Sequence, residues 1–341
     1  MLFRSSPLLR VERLTTAFTV GRRTVPAVND VSFEVRPGEI LGLVGESGCG
    51  KSVTALSILR LVQPPGRISS GAIYFRGRNL LDLSEPEMRR VRGAEISLIF
   101  QEPMTALNPV FSIGAQIAEA LVVHGRASRA EARARAVELL ASVSVPYPER
   151  RVCDYPHQLS GGLRQRALIA IALACRPALV IADEPTTALD ATIQAQILEL
   201  LRTLQSTFDL SMLLITHDLG VVAETADRVA VMYAGRIVEE GPVREIFHSA
   251  AHPYTRGLLA SIPGGVPGAR LRAIEGTVPD LGALPPGCAF APRCPDRFDH
   301  CHLAVPESTV TGAHHRVSCF LYSPEQHTRP APTTGRLDIP S

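Results

Sequence analysis

The sequence has no tryptophan, few aromatic residues and almost no excess of either charge. Lys and Arg number 35 and Asp and Glu number 33, which gives a formal net charge of +2. Dedicated nucleic-acid-binding proteins usually show a strong basic excess, so we expect no nucleic-acid partner. The longest apolar stretch, Ala167–Cys175, is far shorter than the roughly 18–20 residues of a membrane span. The N-terminus lacks the apolar core of a signal peptide, so we expect a cytosolic, soluble chain.

Length and apolar content predict a folded protein, and the order of predicted strands and helices indicates an α/β class. The 341 residues are 45% hydrophobic, which is enough for one large domain or two ordinary ones around a sizeable core. Apolar strands are predicted at Glu39–Val44 and Ala178–Ala182, and segments with helical spacing follow them at Ser52–Leu61 and Ala191–Thr207. Strands that alternate with helices indicate a mostly parallel sheet.

Two local patterns before residue 80 predict a hairpin and a loop. Val31–Arg36 alternates apolar and polar residues, as a half-buried strand does, and Pro37-Gly38 is typical of a turn. We therefore expect a hairpin with Glu39–Val44 that feeds the central sheet. Gly66–Gly71 is predicted to be a loop that precedes a short strand at Ala72–Arg76.

A phosphate-binding loop is indicated between the predicted strand and helix. The pattern of glycine, four residues, glycine, lysine and serine is formed by Gly45, Glu46, Ser47, Gly48, Cys49, Gly50, Lys51 and Ser52. Glycines have no Cβ, so backbone N–H groups can converge on a polyphosphate, and the helix adds its positive N-terminal end. Lys51 should reach the β and γ phosphates, and Ser52 should place its hydroxyl on Mg²⁺.

Two carboxylates follow the buried strand that ends at Ala182. Asp183 suits a role beside the metal, through water, and Glu184 suits the base that orients the attacking water. Ligands bind at this edge of the sheet in open α/β folds. These features allow a kinase, a GTPase or any P-loop ATPase, although the sequence has no Asn/Thr-Lys-x-Asp pattern for reading guanine.

The segment Leu159–Arg166, read Leu-Ser-Gly-Gly-Leu-Arg-Gln-Arg, narrows this choice because it resembles the signature of ABC ATPases. Ser160 can cap the helix that starts near Gly161, and the glycines Gly161 and Gly162 let the backbone approach an anion. The resemblance implies an α/β, ABC-type P-loop ATPase that binds ATP and Mg²⁺. Its expected parts are a RecA-like core sheet, an antiparallel β subdomain and a helical subdomain.

Further positions match the same family. Gln101 resembles the Q-loop glutamine, which senses Mg²⁺ and the attacking water, and Asp190 lies in a segment similar to the D-loop. His217 resembles the switch histidine that contacts the γ-phosphate. Phe18 is a candidate for stacking on adenine, and a role in the core fits its long spacing from the P-loop equally well.

The resemblance also implies a dimer. In this family Ser160, Gly161 and Gly162 would close over ATP held by the P-loop of a second subunit. ATP binding closes the dimer and hydrolysis reopens it, which is a ligand-driven two-state switch. All the hydrolytic positions are present, so we expect this chain to hydrolyse ATP.

Four longer segments resemble the ATPases of dipeptide, oligopeptide and nickel importers: Phe100–Pro109, Tyr155–Gly162, Ile215–Glu224 and His252–Leu259. The resemblance implies a heterodimer with a second homologous ATPase, two transmembrane permease subunits, an extracytoplasmic binding protein and a place on the cytoplasmic face of the inner membrane. Import of di- or oligopeptides is expected. Nickel, opine or glutathione-like cargo stays open because the ATPase never touches the cargo, and a non-transport ABC ATPase is a third alternative.

The expected domain organisation follows from these segments and from composition. Residues 8–256 would form the nucleotide-binding domain, with a helical subdomain at about 102–176 that meets a permease. Residues 257–322 would form a Cys-rich C-terminal extension, and residues 323–341 a disordered tail.

Four cysteines in the predicted extension are candidates for a metal centre: Cys288, Cys294, Cys301 and Cys319. Thiolates on a scaffold that is rich in Pro and Gly and has little core suggest a bound metal that holds the segment together. A [4Fe–4S] cluster would use all four, as in peptide-importer ATPases with this arrangement. Zinc, held by the four cysteines or by some of them with His300, His302, His314 or His315, and free thiols remain alternatives.

Overall fold

The computed structural model describes residues 6–262 and 274–323. The strands of this part of the chain are β1 (Leu9–Val20), β2 (Arg23–Val35), β3 (Ile40–Val44), β4 (Gly66–Phe75), β5 (Arg78–Asn79), β6 (Ile96–Ile99), β7 (Leu179–Asp183), β8 (Ser211–Thr216), β9 (Arg228–Tyr233), β10 (Arg236–Pro242), β11 (Thr309–Val310) and β12 (Arg316–Val317).

The helices are α1 (Lys51–Ile58), α2 (Glu85–Val91), α3 (Pro103–Ala106), α4 (Ile113–Val123), α5 (Arg129–Ser142), α6 (Pro148–Arg151), α7 (Gly161–Leu173), α8 (Ala191–Phe208), α9 (Leu219–Thr225), α10 (Val243–Ser249) and α11 (Pro253–Ala260). Short 3-10 helices lie at Leu80–Asp82, Pro156–Gln158, Leu281–Ala283, Ala291–Arg293, Asp299–His302 and Phe320–Tyr322. None of the described helices is both long enough and apolar enough to cross a membrane.

The central sheet is mostly parallel, as predicted. Its strand order is β11-β12-β10-β9-β3-β8-β7-β6, and the five strands from β9 to β6 run parallel to one another. β3, β7 and β8 are buried along their whole length, which explains why their sequences are continuous apolar runs. The carboxyl ends of these strands therefore bring the loops after Val44, Asp183 and Thr216 to one edge.

The second sheet is antiparallel and has the order β2-β1-β4-β5. The predicted hairpin between Val31–Arg36 and Glu39–Val44 is wrong, because β2 pairs with β1 while β8 and β9 occupy both edges of β3. The predicted loop at Gly66–Gly71 is also wrong, since these residues belong to β4 and pair with β1. Their mixed polarity fits a strand with solvent on one side, and a bulge near Gly71 breaks the alternation.

Apolar residues between the two sheets form one of the main cores. Leu41, Leu43 and Ile215 of the central sheet share a cluster with Leu14 and Phe75 of the antiparallel sheet. α1 contributes to the same cluster through residues such as Ala55 and Ile58 in its buried face. The antiparallel sheet is thus packed against the element that carries the predicted phosphate loop.

A second core holds the helices that follow β6. Residues of α4, α5 and α7 pack with Ala182 and Leu214 of the central sheet. Ser128 begins α5 with a capping box, in which its hydroxyl accepts from the Glu131 N–H at 3.3 Å and the Glu131 carboxylate accepts from the Ser128 N–H at 3.0 Å.

The residues after 273 pack against the far edge of the central sheet. β11 and β12 extend that sheet beyond β10. Phe290 is buried against Tyr233 and Tyr254, with ring centroids 5.2 and 5.4 Å away. We call residues 274–323 the C-terminal segment. Residues 263–273 and 324–341, which include almost all of the predicted disordered tail, lie outside the described residues.

Candidate functional site

The predicted phosphate loop connects β3 to α1 at the carboxyl edge of the central sheet. Gly50 immediately precedes α1 with φ of +107°, a conformation that side chains other than glycine rarely adopt. A Cβ on Gly45 would lie 2.1 Å from the Met232 carbonyl oxygen. The glycines are therefore needed both for the loop's dihedral angles and for its close packing against β9.

Lys51 points back into this loop. Its Nζ donates to the carbonyl oxygens of Gly45 at 2.7 Å and Glu46 at 3.2 Å, and the side chain is 4% exposed. Cys49 is buried beside it, and burial raises the pKa of the Cys49 thiol. A neutral, buried thiol suits a small side chain that fills space inside the loop.

The loop and the first carboxylate meet directly. The Ser52 hydroxyl donates to Asp183 Oδ1 at 3.1 Å, across 131 residues of sequence. Burial raises the pKa of Asp183, the Glu184 charge raises it further, and the Ser52 hydrogen bond and Lys51 oppose this. A hydroxyl and a carboxylate side by side are oxygen ligands of the kind that Mg²⁺ prefers, and a bound cation would favour the ionised carboxylate.

Two of the predicted catalytic residues contact one carboxylate oxygen of the third. Glu184 Oε2 accepts from Gln101 Nε2 at 3.3 Å and lies 3.2 Å from His217 Nδ1. Glu184 Oε1 lies 4.0 Å from Lys51 Nζ. The structure thus brings Gln101, Glu184 and His217 together beside the phosphate loop, although they come from three separate loops.

A fourth residue, Thr187, was not predicted from the sequence. Its hydroxyl donates to the same Glu184 oxygen at 2.8 Å. Glu184 has φ of +46°, and the Thr187 N–H donates to the Glu184 carbonyl at 3.1 Å, so a tight turn sets the side chain's direction. The signal in the sequence is a hydroxyl three residues after the second carboxylate, but only the turn shows that it reaches back.

The signature segment begins α7 and packs on the segment after Asp190. Ser160 caps α7, with its hydroxyl accepting from the Leu163 N–H at 3.4 Å. Asp190 caps α8 in the same way, accepting from the Ile193 N–H at 2.9 Å. Ser160 and Gly161 are exposed, and a Cβ on Gly162 would lie 2.8 Å from Ile193.

Phe18 lies on β1, at the side of the antiparallel sheet where Gly66 begins β4. Its ring is half-buried, and a Cβ on Gly66 would lie 2.5 Å from it. The ring is therefore neither enclosed in a core nor free of contacts. Both expected roles, stacking on adenine and packing in the core, are compatible with this position.

Comparison with known proteins decides the family. The sequence matches the ABC transporter family over residues 28–187 and the C-terminal region of oligopeptide/dipeptide transporters over residues 238–301. It is 52% identical to the dipeptide transport ATP-binding protein DppD of Bacillus subtilis over 316 residues, 92% of this chain and 94% of that protein. The chain belongs to the peptide-transport ABC ATPases. The family's oligopeptide transport ATP-binding protein AppD of Bacillus subtilis is 52% identical over 324 residues, 94% of this chain and 98% of AppD.

A solved structure shows the fold that this ABC ATPase shares. The ATP-binding cassette MJ0796, in a dimeric post-hydrolysis state bound to ADP and Pi, superposes with a TM-score of 0.63 at 29% identity. The match covers 69% of this chain and 99% of that one. The ABC cassette fold, with its mixed sheet and helices, is therefore confirmed.

The four cysteines of this ABC ATPase line one small pocket: Cys288, Cys294, Cys301 and Cys319. None of them is in a disulfide. The pKa of Cys294 is raised to about 11 and that of Cys319 to about 12, mainly by burial and in part by the neighbouring thiols. Within residues 6–262 and 274–323, no group of three or more His, Cys, Asp or Glu side chains is placed to hold a single metal ion.

Proposed function

We propose that this ABC ATPase hydrolyses ATP to drive peptide uptake through an importer. The observation that supports this best is the convergence of Gln101, Thr187 and His217 on the Glu184 carboxylate, next to the buried Lys51 of the phosphate loop. Sequence identity of 52% to dipeptide and oligopeptide transport ATP-binding proteins supports peptides as the cargo.

The phosphate loop would hold the triphosphate of ATP. The backbone N–H groups from Gly45 to Gly50 and the start of α1 would bind the phosphate oxygens, and Lys51 would turn from its carbonyl partners to the β and γ phosphates. Ser52, Asp183 and Gln101 would hold Mg²⁺, which neutralises phosphate charge. Phe18 would stack on the adenine ring.

Glu184 would orient and polarise the attacking water. Its carboxylate is 10% exposed, and the hydrogen bond from Thr187 fixes the direction of the acceptor oxygen. His217 is 55% exposed, so its ring can reach a γ-phosphate while it stays close to Glu184. Gln101 would link this oxygen to the segment that follows β6, so that the helical subdomain senses the state of the site.

A second ATPase subunit would complete each nucleotide site. Ser160 and Gly161 are exposed, and the N-terminus of α7 offers free backbone N–H groups to an anion. We propose that Ser160, Gly161, Gly162 and Asp190 close over a nucleotide held by a homologous partner, in a heterodimer. The dimeric state of MJ0796 supports a dimer.

The helical subdomain would meet a permease. Exposed apolar side chains cluster in the sequence after β6, at Phe100, Met104, Val110 and Phe111, next to Gln101. Exposed apolar side chains that lie close together mark interaction sites. We propose that this surface docks on a transmembrane permease at the cytoplasmic face of the membrane, in a system with two permeases and an extracytoplasmic binding protein.

The four cysteines would hold a [4Fe–4S] cluster in a Cys-rich C-terminal extension. All four thiols line one pocket, and their donor chemistry suits an iron–sulfur cluster. A single zinc needs its ligands about 2.3 Å from one point, and the described residues hold no such arrangement. A bound cluster would cross-link a segment that has little core of its own. Cys288 and Cys294 flank the turn that contains Phe290, so ligation would fix that turn.

Purified protein tests both proposals. ATP turnover should be present and should rise when the permeases are co-expressed; a chain that ignores ATP even with its partners would contradict the function. Anaerobic purification should yield about four irons and four sulfides per chain, and Cys301→Ser should lower both. Stoichiometric zinc without sulfide would contradict the cluster and leave the ATPase proposal intact.

A further inference from the structure

An ion pair connects the phosphate loop to the C-terminal segment. Arg293 Nη1 donates to Glu46 Oε2 at 2.7 Å, and Nη2 donates to Glu46 Oε1 at 3.1 Å. The Arg293 side chain is 5% exposed. Two parallel hydrogen bonds from a planar guanidinium to a carboxylate fix distance and orientation together, which a flexible surface pair does not do.

Every donor of this guanidinium has an acceptor. Besides Glu46, Arg293 donates from Nε to the Glu275 carbonyl at 3.0 Å, from Nη2 to the Ile274 carbonyl at 3.4 Å and from Nη1 to the Tyr233 hydroxyl at 3.5 Å. Arginine has five N–H donors, and these contacts use all of them. Arg293 therefore cannot turn away from Glu46 without breaking several other bonds.

Because Glu46 belongs to the phosphate loop, its ion pair with Arg293 restricts the position of that loop. Its backbone N–H donates to the Tyr254 hydroxyl at 3.0 Å, and its carbonyl oxygen accepts from Lys51 Nζ at 3.2 Å. One residue of the loop thus contacts Arg293 with its side chain, α11 with its N–H and the phosphate-binding lysine with its carbonyl. A displacement of Arg293 would move the carbonyl that helps to place Lys51.

Arg293 also connects the loop to the cysteine pocket. It ends the 3-10 turn Ala291–Arg293 and immediately precedes Cys294. The first residue of this turn donates its N–H to the Cys288 carbonyl at 3.0 Å, and the Cys294 N–H donates to the Ala291 carbonyl at 3.3 Å. The same short turn therefore lies between two of the pocket thiols and presents Arg293 to the phosphate loop.

We propose that Arg293 is a positioning residue for nucleotide binding, which acts through Glu46 to keep the phosphate loop in the shape that receives a triphosphate. This proposal rests on the proposed function, because it needs the loop to bind ATP. It assigns the C-terminal segment a direct effect on the nucleotide affinity of the cassette. Changes at Cys288 or Cys294 that shift the turn would reach Lys51 by this route.

The first test compares two arginines of the same segment in the full chain. Arg293→Gln should raise the Kd of a fluorescent ATP analogue about tenfold, a typical size for coupling between neighbouring sites. Arg316→Gln is the matched control, since Arg316 is exposed and lies on β12 rather than on the Ala291–Arg293 turn; its Kd should stay at the wild-type value. Arg293→Lys keeps the positive charge but not the planar guanidinium, so its Kd should lie between those of the other two variants.

A second variant keeps the test valid if Arg293→Gln folds poorly. Glu46→Gln changes the partner on the phosphate loop and should raise the Kd by a similar factor, while the double variant should be no weaker than either single one. In steady state the KM for ATP should rise far more than kcat falls. Additive effects in the double variant, or wild-type affinity in Arg293→Gln, would overturn the proposal. Failure of the wild-type chain to bind the analogue would instead refute the ATPase function on which it rests.

Discussion

His217 Nδ1 lies 3.2 Å from Glu184 Oε2, although the two residues follow different strands of the central sheet. Gln101 and Thr187 reach the same oxygen. One carboxylate is therefore the common acceptor for the loops after β6, β7 and β8. If ATP binds here as proposed, this arrangement would let a change at the γ-phosphate alter three loops together, as a coupled switch requires.

Glu184→Gln should separate nucleotide binding from turnover. The amide keeps the shape of the side chain but cannot act as a base, so kcat should fall by about 10²- to 10⁴-fold while the Kd for ATP changes little. Phosphate release and binding of labelled ATP measure the two effects. Glu199→Gln, at an exposed position on α8, is the control and should keep full turnover. Near-normal phosphate release by Glu184→Gln would contradict its assignment as the base.

Thr187 should matter for the rate rather than for affinity. Thr187→Val removes the 2.8 Å hydrogen bond to Glu184, and a bond to a charged acceptor is worth about 1.5–3 kcal/mol. We therefore expect kcat to fall roughly tenfold or more with little change in KM for ATP. Thr187→Ser keeps the hydroxyl and should retain most of the activity. Equal rates for the valine and serine variants would show that the hydrogen bond is not used.

Removal of divalent cations should stop hydrolysis. EDTA should abolish phosphate release by the wild-type chain, and added Mg²⁺ should restore it. Asp183→Asn, which weakens the oxygen pair formed with Ser52, should raise the Mg²⁺ concentration for half-maximal rate by about tenfold. The exposed Asp209→Asn serves as the control. An unchanged Mg²⁺ requirement in Asp183→Asn would place the cation elsewhere.

Arg228 should be important for stability because it neutralises two carboxylates that are largely buried. It donates to Glu39 at 2.8 Å and to Glu240, and its side chain is 11% exposed. Arg228→Met should lower the free energy of unfolding by about 3–5 kcal/mol, since both carboxylates lose their charged partner. Urea unfolding followed by circular dichroism measures the change.

The control for Arg228 is an arginine–glutamate pair on the surface, and the rescue removes the carboxylates that Arg228 neutralises. Arg89 pairs with Glu85 on the surface, where the two side chains are 77% and 48% exposed, so Arg89→Met should cost less than about 1 kcal/mol. Glu39→Gln and Glu240→Gln, added to Arg228→Met, should recover part of the loss because they remove the unpaired charges. Equal destabilisation by the two methionine variants would contradict this account.

Local patterns predicted much of the central sheet. The bounds predicted for β7 and α8 are each within one residue of those observed. Fully buried parallel strands and capped amphipathic helices can be recognised from a few consecutive residues. No strand was predicted at Leu9–Val20, where β1 carries several register shifts that interrupt the period of two. The hairpin predicted at Pro37-Gly38 is wrong for a different reason. A turn motif does not indicate which strand edges are already paired with other strands.

The chemical groups of this protein were determined by the sequence alone: the phosphate loop from Gly45 to Ser52, the two carboxylates at the end of β7, the signature segment and the family. These depend on residue type and spacing within short segments, and local geometry follows from both. The tertiary structure decided which of these groups meet. The hydrogen bond from Thr187 to Glu184 depends on a turn, and the ion pair between Arg293 and Glu46 joins residues 247 positions apart. Contacts between residues so far apart in the sequence depend on how whole sheets and segments pack, so no local pattern predicts them.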